Sequence, residues 1–116
     1  MANFVEVVKT SELQDGIMKE VLAQGHEILI LRIEDKYYAT GNRCPHLGGK
    51  LSQGKLEGTV VTCPRHGSQF DLTDGRVVRW TNWSGLIAKL SKVLKSPKPL
   101  KIYNTKVKDN RVLIKI

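Results

Sequence analysis

An all-β fold is predicted for this chain: an antiparallel barrel or sandwich base carrying a small subdomain, with one short added helix. Three observations lead there. The first forty residues hold four short runs of β-forming residues separated by turn signals about every eight positions. A second group of short runs brackets two Pro/Gly-rich turns that contain both cysteines and two of the three histidines. A single stretch near the C-terminus has the 3.6-residue spacing of an amphipathic helix. At 116 residues the chain is long enough for one domain, taken as 1–116.

Phe4 to Lys9 alternates around Val5 and Val7 and reads as the first strand. Thr10 to Gly16 interrupts it, with Ser11 placed to cap a short turn and Asp15-Gly16 a turn pair. Met18 to Ala23 is the second strand. Gln24-Gly25-His26 then turns into Glu27 to Ile33, whose consecutive apolar residues mark a central strand covered on both faces. Glu34-Asp35-Lys36 supplies a hairpin turn, and Tyr37 to Thr40 returns. Further on, Thr59-Val60-Val61-Thr62 runs straight into Cys63, and Ser68 to Leu72 leaves the second turn. Thr73-Asp74-Gly75 leads to a short strand at Arg76 to Val78. Leu100 to Lys108 and Arg111 to Ile116 form a hairpin about Asp109-Asn110, with Val107, Val112, Ile114 and Ile116 expected to face its core.

Between these, about 79–98 reads as an added helical segment. Leu86, Ile87, Leu90, Val93 and Leu94 form its stripe, Ser84 is placed as N-cap and Pro97 as stop. The stripe is read as covering the barrel; the sharper alternative is a docking element for a redox partner or a membrane surface.

The chemistry lies in Cys44-Pro45-His46-Leu47-Gly48 and Cys63-Pro64-Arg65-His66-Gly67, with sixteen residues between His46 and Cys63. A cysteine and a histidine two or three positions apart in a tight turn can aim at one point. Two such turns offer two sulfur and two nitrogen ligands, a set that suits a tetrahedral zinc or a [2Fe–2S] cluster of mixed ligation. Zinc fingers usually place both cysteines before both histidines. The interleaved order here fits two irons better than one zinc.

C-x-H followed by C-x-x-H, with each cysteine trailed by proline and each histidine by a nearby glycine, resembles the Rieske [2Fe–2S] motif. The resemblance extends from Phe4 to Val78 and from Pro99 to Ile116. It implies one [2Fe–2S] cluster per chain in a subdomain at about 42–75, with Cys44 and Cys63 on one iron and His46 and His66 on the other. Respiratory members of the family carry two more cysteines that form a disulfide beneath the cluster. This chain has only two, so it resembles the soluble ferredoxin and oxygenase branch. Ser68 stands where respiratory members place a serine that hydrogen-bonds a bridging sulfide, and Phe70 where they have a tyrosine. The implied potential lies in the lower half of the Rieske range of roughly −150 to +300 mV.

The expected function is therefore that of a one-electron carrier between a reductase and an acceptor oxidoreductase such as an oxygenase, with no catalytic residues. The alternatives are a small cluster-bearing subunit of a larger oxidoreductase and a structural zinc module. A net charge of +8 predicts redox partners with acidic docking surfaces, reached by electrostatic steering, and a field that favours the reduced cluster. Nucleic acid is not an expected partner, because the lysines are dispersed and no binding motif accompanies them. No apolar run approaches the ~18 residues of a membrane span, and MANFVEVVKTSELQ lacks the pattern of a signal peptide. A cytoplasmic monomer is expected, in which a disulfide between Cys44 and Cys63 is disfavoured. His26, in a turn without a nearby cysteine, is read as an ordinary exposed side chain.

Overall fold

The computed structural model describes residues 4–44, 49–64, 67–79 and 99–116. The added helical segment, with Leu86 and Leu90, lies outside them from residue 80 onward, as do His46 and His66. The described residues form eleven strands: β1 (Phe4–Lys9), β2 (Met18–Ala23), β3 (His26–Ile33), β4 (Lys36–Gly41), β5 (Lys55–Glu57), β6 (Val60–Thr62), β7 (Gln69–Asp71), β8 (Val77–Arg79), β9 (Ile102–Tyr103), β10 (Thr105–Lys108) and β11 (Arg111–Lys115). They belong to two units, one running up to Asn42 and resuming with Lys101–Ile116, the other spanning Arg43–Leu100.

In the first unit, two-residue turns set the register. Glu34-Asp35 and Asp109-Asn110 place both residues at positive φ, as does Gln24-Gly25, the geometry whose twist matches antiparallel strands. The price of a side chain in that region is offset at Glu34-Asp35, where the Glu34 N–H donates to Asp15 Oδ1 at 2.8 Å and Arg32 Nη2 donates to Asp35 Oδ1 at 2.7 Å. Two antiparallel sheets result, β1-β11-β10 and β2-β3-β4-β9. Val8, Leu13, Ile28, Ile30, Ala39, Tyr103, Val112 and Ile114 form the core of this unit. All of Ile28 to Leu31 is fully buried, as expected of a strand covered on both faces.

Three sequence expectations are corrected here. The strand expected over Leu100 to Lys108 is two strands, because the chain leaves the second sheet after Tyr103 and joins the first at Thr105. The Asn104 carbonyl at that corner accepts from the Lys115 N–H at 2.9 Å, so the break keeps its backbone hydrogen bond. Val107 faces outward and is 50% exposed, whereas Val112 and Ile114 are buried and Ile116 packs against the core. Ser11 lies within a one-turn 3-10 helix (Thr10–Glu12) whose cap is Lys9, the Lys9 N–H donating to Glu12 Oε1 at 2.9 Å.

The second unit holds the sheet β5-β6-β7-β8, a meander in which each strand pairs with the next. β5 was not expected; Gly58, at φ +61, makes the tight turn that folds Lys55–Glu57 back on Val60–Thr62. Leu51, Val61, Phe70 and Leu72 are fully buried in this unit.

Candidate metal centre

Each cysteine opens a loop closed in the same way. Cys44 donates its N–H to the Gly49 carbonyl at 2.7 Å, and Cys63 donates its N–H to the Ser68 carbonyl at 2.7 Å. One step outward, Arg43 pairs with Lys50 and Thr62 with Gln69, both antiparallel. The two six-residue segments, Cys44 to Gly49 and Cys63 to Ser68, therefore share one register, with the cysteine first and the closing carbonyl sixth. The second loop is the β6–β7 connection, and Gln69 Nε2 donates to Thr62 Oγ1 across its base at 3.1 Å.

Both thiols are drawn inward. Cys44 and Cys63 are each 3% exposed and neither is in a disulfide. Two buried cysteines outside any disulfide, at the mouths of matched loops, fit thiolate ligation of iron or zinc and fit poorly with a redox disulfide. His46 is the third residue of the first loop and His66 the fourth of the second; both lie outside the described residues. Gly67 is buried at φ +72, a conformation open to glycine, and its N–H donates to the Cys63 carbonyl at 3.2 Å. Ser68 and Phe70 are fully buried, so the Ser68 hydroxyl does not face solvent.

Two supports escaped the sequence reading. Gly54 follows the one-turn 3-10 helix Leu51–Gln53, and a Cβ there would fall well inside contact distance of the Thr62 carbonyl oxygen. The segment leaving the first loop thus packs on the backbone just ahead of Cys63. Asp71 closes β7: its Oδ1 accepts from the Thr73 N–H at 3.0 Å and the Thr73 hydroxyl at 2.7 Å, and Arg76 Nη2 lies 3.4 Å from Oδ2. Desolvation pushes the Asp71 carboxyl up, but Thr73, Thr59 and Arg76 together outweigh it and hold the group below its ordinary pKa. An Asp two residues before a Thr is the local signal for such a turn.

His26 is exposed on β3, with its ring edge-on to Tyr103 at 6.3 Å between centroids. No helix among the described residues is long and apolar enough to cross a membrane.

The family model for the Rieske [2Fe–2S] domain matches residues 3–104. The chain is 32% identical over 104 residues to the ferredoxin component of the naphthalene 1,2-dioxygenase system of Pseudomonas putida, covering 90% of this chain and 91% of that one. Among solved structures, a chain in the complex of reduced oxygenase and oxidized ferredoxin in carbazole 1,9a-dioxygenase is similar at a TM-score of 0.76 and 26% identity, over 97% of this chain and 92% of that one. The ferredoxin of carbazole 1,9a-dioxygenase from Nocardioides aromaticivorans IC177 shares the fold at a TM-score of 0.80 and 22% identity, over 98% of both chains.

Proposed function

The chain belongs to the Rieske [2Fe–2S] domain family and is a one-electron carrier rather than a catalyst, and from that premise we propose that Cys44, His46, Cys63 and His66 are the ligands of its one cluster. We further infer that it carries electrons from a reductase to the terminal oxygenase of a dioxygenase system, the setting of its relatives. The observation that carries this reading is the common register of the two cysteine loops, each closed by a 2.7 Å hydrogen bond from the cysteine N–H.

When bound, the cluster accepts and releases one electron at a potential set by its ligands, hydrogen bonds and solvent exposure. The chain's own residues prepare the place. Burial of Cys44 and Cys63 excludes water from the sulfur side. The hydrogen bonds that close the two loops fix the backbone at each cysteine, and a donor held in place lowers the ordering cost of binding. Imidazoles at His46 and His66 would supply the neutral half of the donor set. We take the location as the cytoplasm, where a reducing environment keeps cysteines available as ligands, and the protein as a monomer. The charge of +8 favours partners with acidic surfaces.

The test is direct. The purified protein should be red-brown and contain iron and acid-labile sulfide in equal amounts. After chemical reduction it should be reoxidised on adding a terminal oxygenase. A colourless protein holding zinc would refute the reading.

A further inference from the structure

Arg79 ends β8 with its guanidinium on the second cysteine loop. Nε and Nη2 both donate to the Gly67 carbonyl, at 3.1 and 2.9 Å. The strand is built to aim it there. Gln69 pairs with Arg79 but Phe70 pairs with Val77, so Val78 is an extra residue on β8. Such a bulge turns the following side chain out of the strand's ordinary alternation, a device common beside functional sites. Arg79 itself is exposed, while the carbonyl it reaches belongs to a buried glycine. Gly67 is thereby held from both sides, its N–H on the Cys63 carbonyl at 3.2 Å and its own carbonyl on Arg79.

We propose that Arg79 is a positioning residue for the metal centre, fixing the Gly67–Ser68 peptide and through it the loop from Cys63 to Ser68. In a trans peptide the C=O and the following N–H point in opposite directions. Drawing the Gly67 oxygen toward Arg79 therefore turns the Ser68 N–H the other way and fixes that dipole. Two donors of one planar group, converging on the Gly67 oxygen, fix a direction that one ammonium cannot. The inference rests on the reading of Cys63 and His66 as ligands, since the residue held lies directly after His66.

The experiment compares the parent protein with Arg79→Lys and Arg79→Gln, each purified with its cluster. Reduction potential is read by redox titration, and stability of the centre by the rate at which visible absorbance is lost to a chelator. Arg79→Lys keeps the charge but not the two-pronged contact. It should shift the potential and lose the cluster about fivefold faster, the ratio expected for one hydrogen bond; Arg79→Gln should do both to a greater degree. If Arg79→Lys keeps either the parental potential or the parental rate of loss, charge alone accounts for the residue and the proposal fails. Should Arg79→Gln not be recovered folded, Arg79→Lys decides the matter. A parent that binds no [2Fe–2S] cluster would instead overturn the ligand reading itself.

Discussion

Ser68 is the residue at which tuning of the potential can be tested. It is fully buried in the segment whose carbonyl closes the Cys63 loop. A donor to cluster sulfur stabilises the reduced, more negative state more than the oxidised one, so its loss lowers the potential. Ser68→Ala should move it down by about 40 mV, since ~1 kcal/mol corresponds to that shift for one electron. Redox titration reads the outcome, and an unchanged value would make the serine a turn residue only. Cys44→Ser and Cys63→Ser should each abolish the visible cluster spectrum. His26→Ala should leave it intact, because that ring is exposed at the start of β3, edge-on to Tyr103. At Asp71 the folded-state pKa is depressed, so its contribution to stability is complete above the unfolded value near ~3.9 and is lost as pH falls through the folded one. Denaturation followed from about pH 6 to pH 2 should show the parent losing stability more steeply than Asp71→Asn below about pH 4.

Among the elements, the short 3-10 helix Leu51–Gln53 leads from the first cysteine loop to the backbone just ahead of Cys63. Its terminating residue, Gly54, has extended backbone angles that any residue adopts, so the demand for glycine is steric and comes from the Thr62 carbonyl. The Leu51 carbonyl oxygen, 3.2 Å from the same Cβ position, leaves little room to shift. Gly54→Ala should cost about 1–3 kcal/mol in chemical denaturation. It should also weaken cluster retention, because the strand displaced is the one that delivers Cys63. An alanine variant as stable as its parent would mean that the two backbones separate freely.

For the whole molecule, the net charge of +8 makes encounter with partners an electrostatic matter. Stopped-flow rates of electron delivery to an acidic acceptor should fall steeply between ~10 mM and ~150 mM salt, where the screening length shrinks from about 30 to 8 Å. A rate indifferent to salt would remove charge steering from the account. Exposed apolar side chains such as Leu22, Ile17 and Val107 are ordinary on a protein surface.

Local rules were enough for the strands that close through short turns. Alternation in Phe4 to Lys9, the apolar run after Glu27 and the turn at Asp109-Asn110 are each decided by neighbours within a few positions, and the observed β1, β3 and β11 follow them. The Cys/His pairs of the proposed site stand out in the sequence for the same reason, since the spacing of residues is a local property of a loop. What the chain text does not carry is where a strand changes partners or which backbones meet. The split at Asn104 depends on two sheets competing for one segment, and the outward face of Val107 follows from that choice. The close approach of Gly54 to Thr62 and the reach of Arg79 to Gly67 link residues that are distant in sequence. Contacts of that kind arise only once the sheet has assembled, because a bulge or a steric fit is a property of two chain segments together.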